Sequence, residues 1–241
     1  MKRKAYLVAA ALLLAVFFCA QAALKAAGDA SAPGTGLLAT FGGLRSIVAE
    51  VIWFRADRLQ DEGRYVELAQ LASALAAMDP HTPEVWSYAA WNLAYNVSVM
   101  MPTHEDRWRW VQAAMVLLRD DGIRLNPASA ELHRELAWLF ELKIGASIDD
   151  ASPVYREKWR AIVSDAESRG AWDELAMDAM TMNEIEAKYG ISDRGDAMYS
   201  AIYWAHRGLR HAKGADVRML KSIIRQSKLI YERRVGGPSN G

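Results

Sequence analysis

The stretch "MDPHTPEVWSYAAW" occupies residues 78–91, and "LNPASAELHRELAW" occupies residues 125–138, 47 positions later. Four of the fourteen aligned positions are identical. The identical pairs are Pro80 and Pro127, Glu84 and Glu131, Ala90 and Ala137, and Trp91 and Trp138. Self-similarity at a fixed offset is typical of proteins built from repeated helical units. The two stretches are therefore predicted to be one structural unit used twice.

Each stretch begins with signals for a helix start. Thr82 is a suitable N-cap, Pro83 suits the first helical position, and Glu84 complements the positive end of a helix. Ser129 and Glu131 occupy the equivalent places in the second stretch. Further starts are predicted at Thr103, with Asp106 as an acidic capping partner, and at Ser152-Pro153; Gly170, Gly190 and Gly214 are predicted stops or turns.

The region after residue 36 has no convincing strand pattern and recurrent helix patterns. It predicts about nine helices joined by short loops, which pack antiparallel, and hence an all-α fold. The predicted organisation is a membrane anchor or signal peptide (1–24), a flexible linker (25–36), a helical domain (37–234) and a flexible tail (235–241).

The N-terminus carries an apolar segment. After "MKRK", residues 5–24 read "AYLVAAALLLAVFFCAQAAL". As a helix this segment would span roughly 30 Å, the thickness of the hydrocarbon core of a bilayer. It is also compatible with a signal peptide cleaved after Ala22, because small residues stand at 20 and 22. Both interpretations place the rest of the chain outside the cytoplasm. The remaining alternative is a buried N-terminal helix.

Composition argues against several classes of function. Residues 25–241 carry 26 basic and 29 acidic side chains, which does not favour a nucleic-acid-binding face. Cys19 is the single cysteine, so paired-cysteine metal sites are excluded. His206 and His211 lack metal-ligand spacing, and no nucleophile elbow, phosphate loop or dinucleotide motif is present. We therefore expect no catalytic residues, no metal, no cofactor and no small-molecule substrate.

The pattern over residues 46–145 resembles tetratricopeptide repeats, which are 34-residue helix-turn-helix units. Gly63 and Tyr65 match the turn of that family ahead of the closing Pro80, and Ala90 and Ala137 match its small residues at helix contacts. The offset of 47 exceeds the unit by 13 residues. We expect the addition near "NVSVMMPTHEDRWRW", residues 96–110. The resemblance implies a tetratricopeptide-like helical-repeat solenoid.

The chain as a whole also resembles a group of bacterial envelope proteins that combine an N-terminal membrane segment with tetratricopeptide-like helices. The matching stretches include "FGGLRSIVAEVIWFRADRLQDEGRY", "PEVWSYAAWNLAYNVSV" and "AIYWAHRGL". This resemblance implies a single-pass protein of the cytoplasmic membrane with its C-terminal domain outside the cytoplasm. The alternative location is the periplasm, as a soluble protein after signal cleavage.

Five residues of the repeated helices are candidates for binding a partner protein. Trp91 and Trp138 fall where tetratricopeptide proteins commonly face their concave groove, with Asn92, Tyr95 and Arg134 near enough to supply hydrogen bonds or charge. The competing interpretation is that both tryptophans pack between repeats.

A second cluster, "HEDRWRW" at residues 104–110, has three interpretations. Its acids and histidine suggest metal or acid/base chemistry, and its interleaved arginines and tryptophans suggest contacts with an anion or nucleic acid. The third is a capped amphipathic helix start, with Arg107 and Arg109 lying over the tryptophans and only one of Trp108 and Trp110 facing the core.

Three functional hypotheses follow. The first is a scaffold that binds a segment of a partner protein through its helical-repeat surface. The second is a structural subunit of an envelope secretion, transport or appendage complex, and the third, which we do not favour, is an envelope enzyme.

Overall fold

The computed structural model describes residues 80–235 and, ahead of them, Arg58, Glu62, Arg64 and Glu67. Every regular element of residues 80–235 is helical and none is a strand, which confirms the predicted all-α class. The chain divides into two compact units, residues 1–55 and 56–241, and all described residues belong to the second. The α-helices are α1 (Pro83–Trp91), α2 (His104–Val116), α3 (Ala130–Trp138), α4 (Ser152–Arg169), α5 (Ala179–Tyr189), α6 (Ala197–Leu209) and α7 (Ala215–Val235).

The predicted helix starts are confirmed in position, and those at Thr103 and Ser129 also by side-chain cap hydrogen bonds. The Thr103 hydroxyl accepts a hydrogen bond from the backbone N–H of Asp106 at 3.1 Å and donates one to the Asp106 carboxylate at 2.7 Å. The Ser129 hydroxyl accepts from the backbone N–H of Leu132 at 3.2 Å. Thr82 occupies the N-cap position of α1 with Pro83 following it. Left-handed backbone occurs at Gly170, Gly190 and Gly214.

Three helices continue past their α-helical part in a wider winding. The π-helical continuations are Asn92–Val97 after α1, Leu117–Ile123 after α2 and Leu139–Gly145 after α3. Two of them begin directly after Trp91 and Trp138, the equivalent residues of the repeated stretches. Only residues 101–103 separate the first helix, with its π-helical and 3-10 continuation, from the second.

Consecutive helices pack as pairs. The pairs are α1 with α2, α3 with α4, and α6 with α7, where α1, α2 and α3 include their π-helical continuations. The first helices of successive pairs also contact each other, α1 with α3 and α3 with α6. Residues 170–196, which contain α5, are inserted between the second and third pairs.

Helix α6 forms the centre of the core. Its residues 197–205 are all buried, and it contacts α3, α4, α5 and α7. Gly208 permits the close approach to α3, because a Cβ there would lie 2.9 Å from the Cβ of His133 and 3.2 Å from both methyl groups of Leu220. A larger residue at 208 would force α6 away from α3 or α7.

The N-terminal predictions lie outside the described residues. These are the anchor or signal segment (1–24) and the linker (25–36), together with residues 236–241 of the tail. Among the helices of residues 80–235, none combines the length and apolarity needed to cross a membrane.

Burial of His133 predicts an acid-sensitive fold. Its side chain is 1% exposed, and its Nδ1 donates to the Ser129 carbonyl at 2.8 Å. Burial lowers the pKa of His133 to about 4. In the unfolded chain the pKa is about 6.5, so the unfolded chain binds the proton more tightly. The stability due to the neutral ring is complete above pH 6.5 and is lost as the pH falls toward 4.

We expect this loss to reach about 3 kcal/mol, the equivalent of the pKa difference. Urea unfolding at a series of pH values measures it, and H133Q should flatten the dependence between pH 6.5 and 4. The matched control H81Q, at an exposed histidine, should keep the slope of the unsubstituted chain. An unchanged slope in H133Q would contradict the assignment.

Candidate functional site

An apolar groove lies between the two repeated helices. It is the space between α1 and α3 with their π-helical continuations, and two pairs of equivalent positions line it. Trp91 corresponds to Trp138, and Tyr95 corresponds to Leu142, each pair 47 residues apart. The groove has a volume of about 130 Å³. The lining residues are Ser87, Ala90, Trp91, Tyr95, Leu118, Glu135, Trp138, Leu139 and Leu142.

Small residues in the helix contacts orient the two tryptophans. Ala90 and Ala137 are 2% and 0% exposed, as the sequence predicted for residues at a close helix contact. The next side chain on a helix points about 100° away. Trp91 and Trp138 are accordingly 44% and 41% exposed. The Trp91 ring stacks on Tyr95, with centroids 6.1 Å apart and an interplanar angle of 27°.

The groove continues into a wider recess of about 540 Å³ that shares Tyr95 and Leu142 with it. Val99 and Ile148 line the recess and are 49% and 70% exposed. Four of the ten large exposed hydrophobic side chains among the described residues therefore lie along this surface, and two are the repeated tryptophans. Contiguous exposed apolar surface of this kind marks binding sites in soluble domains.

The far end of the recess is charged but balanced. Lys143 forms an ion pair with Asp149, and Arg107 donates to Asp150 at 2.7 Å. The Lys143 ammonium also lies 5.3 Å from the centre of the Tyr95 ring. Because each cation has an acidic partner, this end fixes the loop between α3 and α4 and leaves little net charge for a ligand.

Carboxylates outnumber cations at the other end of the groove. The Ser87 hydroxyl donates to Glu131 at 2.9 Å. Burial raises the pKa of the Glu131 carboxyl, and the charges of Glu84 and Glu135 raise it further. Arg134 is the nearby cation, and its guanidinium binds Glu135 at 2.9 Å. We call Glu84, Glu131 and Glu135 the acidic mouth.

The groove brings together three of the five predicted binding residues, Trp91, Tyr95 and Trp138. Asn92 is fully buried, accepts a hydrogen bond from Asn96 at 2.9 Å, and has no partner for its own amide nitrogen among the described residues. Arg134 is occupied by Glu135 and by Asp216 of α7. Neither side chain is placed to supply the hydrogen bonds or charge that the sequence suggested.

Sequence reasoning did not assign six of the nine lining residues to the site: Ser87, Ala90, Leu118, Glu135, Leu139 and Leu142. The offset of 47 residues could have identified Leu142, because Leu142 is the counterpart of Tyr95 in the second copy. Glu135 had no comparable signal, since its counterpart is Tyr88.

The "HEDRWRW" cluster forms a capped helix start. Trp108 is 6% exposed and packs on Tyr155, while Trp110 is partly exposed, so one of the two faces the core as predicted. The arginines do not lie over the tryptophans, which corrects that expectation. Arg107 binds Asp150, and Arg109 binds Asp106 at 2.9 Å. Carboxylates within reach are stronger partners for guanidinium groups than indole rings are.

No group of three or more His, Cys, Asp or Glu side chains in the described part of the chain could hold a metal ion. Comparisons with protein-family models, curated proteins and solved structures gave no match to this chain. The groove is therefore interpreted from its own geometry.

Glu141, next to the groove-lining Leu142, gives a prediction of pH dependence with the opposite sign to that of His133. Its side chain is 6% exposed, and burial raises its pKa to about 7. Since the unfolded pKa is near 4.5, the stability from this carboxyl is present below pH 4.5 and is lost as the pH rises through 7.

E141Q should therefore raise the free energy of unfolding at pH 8, by at most about 3 kcal/mol, and change it little at pH 4. Urea denaturation at both pH values measures the difference. E157Q, at a residue of α4 that is exposed, is the control and should have little effect at either pH. A destabilised E141Q at pH 8 would show that the carboxylate has a partner that stabilises its charge.

Proposed function

We propose that this protein is a scaffold of the bacterial cell envelope, which binds a segment of a partner protein in the groove between its repeated helices. The apolar residues 5–24 would anchor it in the cytoplasmic membrane or direct it across, with the helical domain outside the cytoplasm. The observation that carries the proposal is the groove itself, in which both copies of the repeated tryptophan are more than two-fifths exposed.

The packing of the helices supports a tetratricopeptide-like solenoid. Three helix pairs follow one another, and their first helices are in contact in order along the chain. In solenoids each unit contacts its neighbours and the first helices line an extended binding surface. In this proposal the pairs α1/α2, α3/α4 and α6/α7 are three units, lengthened by π-helical turns and interrupted by α5.

The dimensions of the groove favour side chains of a polypeptide as its ligand. A cavity of about 150 Å³ accepts one benzene ring, and this groove measures about 130 Å³. It has room for one apolar or aromatic side chain, and the recess beyond Tyr95 and Leu142 continues the surface for neighbouring residues. Trp91 and Trp138 would be the anchors, because large aromatic side chains at the centre of an interface commonly dominate its affinity.

The acidic mouth adds a charge preference. Glu84, Glu131 and Glu135 lie together, and their neighbour Arg134 is shared with Asp216. A basic side chain of the partner beside the seated apolar residue would relieve this excess of negative charge. The partner segment is therefore expected to combine apolar or aromatic residues with a lysine or arginine.

Site-specific photocrosslinking tests the proposal. A benzophenone amino acid replaces Trp138 in the full chain, expressed in its native envelope, and irradiation should produce adducts with one or a few proteins that mass spectrometry identifies. The control position is Met180 on α5, which is 66% exposed and outside the groove. Absence of adducts at 138, or the same adducts at 138 and 180, would refute groove binding.

Substitution of the anchors separates binding from folding. W91A, combined with the crosslinker at 138, should reduce the adduct yield strongly, because loss of an anchor weakens binding by about 2 kcal/mol, roughly 30-fold. Its free energy of unfolding should fall by only about 1 kcal/mol, since much of the ring is already solvated.

The comparison variant is W159A, at a tryptophan that is 1% exposed. It should lose about 3–5 kcal/mol of stability. A W91A chain that is as unstable as W159A would identify Trp91 as a packing residue and count against its role as an anchor.

A further inference from the structure

The last helix presents a row of cations to the solvent. Arg218, Lys221 and Arg225 of α7 are all exposed and are spaced by three and four residues, which places them on one face of the helix. Lys228 extends the row by another turn and pairs with Glu232. We call these four residues the basic face; it is about 15 Å long at 1.5 Å per residue.

Among the described residues, three of these four cations lack a hydrogen bond or ion pair, as do Lys188 and Lys213 outside the helix. Every other arginine outside this segment has a hydrogen bond or an ion pair, for example Arg160 with Asp193 at 2.8 Å. Arg218, Lys221 and Arg225 have none in the described part of the chain, and the same is true of Arg233 on the last turn. Three neighbouring cations without partners on one helix face are available for an external anion.

The acids of α7 do not neutralise the row. The helix carries six basic and two acidic residues, a net charge of +4, in a chain whose formal net charge is zero. One of the acids, Asp216, binds Arg134, and the other, Glu232, binds Lys228. Two apolar side chains, Met219 and Leu229, are each 42% exposed on the same helix.

We propose that the basic face of α7 binds the anionic phospholipid headgroups of the membrane surface. This inference rests on the proposed function, because residues 5–24 would hold the domain near a bilayer. Clustered lysines and arginines are attracted to anionic lipid surfaces, and exposed apolar side chains beside them reach the interfacial region.

A planar lipid surface fits the charge distribution better than a nucleic acid. The chain outside α7 has a net charge of −4, so a long polyanion that extended past the basic face would meet repulsion. A bilayer surface needs only one straight row of cations. The acidic mouth lies on α1 and α3, so the two charged surfaces attract ligands of opposite sign.

Energy transfer to lipid headgroups tests the proposal in the full chain. A single donor dye is attached at Q226C of α7 in a C19S background, and the protein is combined with nanodiscs that carry acceptor-labelled headgroups. One set contains phosphatidylcholine alone and the other includes about 30% phosphatidylglycerol. At about 50 mM salt, the efficiency of energy transfer should be at least roughly twofold higher with anionic discs than with phosphatidylcholine discs. At about 500 mM salt the two efficiencies should be equal, because the screening length is then a few ångströms.

The charge-reversed variant R218E/K221E/R225E should lose this rise. The matched control R109E/R124E/K158E changes the net charge equally at exposed, ion-paired sites that contribute little to stability, and it should keep the rise. Equal transfer in neutral and anionic discs would overturn the proposal. So would an unaltered rise in the α7 variant, or a charge-dependent complex with polyglutamate or single-stranded RNA in the absence of any lipid effect.

Failure of the anchor is distinguishable from failure of the basic face. Co-elution of protein and nanodisc in detergent-free buffer reports insertion of residues 5–24, whereas energy transfer reports contact by α7. If the chain does not co-elute with the nanodiscs but energy transfer still depends on anionic lipid, binding by the basic face is supported and the membrane anchor is refuted.

Discussion

Close contact between helices at small residues is the constraint on which this structure depends. Ala90 and Ala137 are almost fully buried beside the groove, and Gly208 lets α6 approach His133 of α3. A helix can approach its neighbour closely only where the intervening side chain is small. α1 contacts α3 and α3 contacts α6, and the residue after each alanine, Trp91 or Trp138, is turned outward. The same small residues therefore account both for the close packing of the core and for the exposure of the two tryptophans in the groove.

The sequence predicted features that are encoded locally. Helix caps and stops depend only on residues a few positions away, so the local sequence is enough to predict them. Examples are the caps Thr103 and Ser129 and the stop Gly170. The offset of 47 residues predicted a repeated helix, and the resemblance of that repeat to tetratricopeptide units implied that Ala90 and Ala137 lie at helix contacts. What these signals have in common is that they need no knowledge of the distant parts of the chain.

The remainder of the candidate site depends on contacts that are distant in sequence. Arg134 was expected to face a partner protein, but its guanidinium is hydrogen-bonded to Asp216, 82 residues later in the chain. Asn92 was expected beside Trp91 on the groove, yet it is buried where the π-helical segment begins. Periodicity of 3.6 residues does not describe a π-helical turn, so the outward face of the chain beyond Trp91 could not be assigned from spacing. The pairing of Glu135 with Arg134 likewise appears only in the folded chain.

The two π-helical segments that begin after Trp91 and Trp138 also determine the phase of the groove walls. A π-helical turn winds the chain more widely than an α-helical one, so it rotates every following side chain around the helix axis. If one wall alone carried such a turn, side chains beyond the tryptophans would point in different directions on the two walls. Both walls carry it from the same position, and Tyr95 and its counterpart Leu142, 47 residues later, both line the groove. Because the same distortion occurs in both walls, side chains at equivalent positions keep equivalent angles around the two helix axes. A single-residue deletion in either segment would rotate the following side chains of that wall alone.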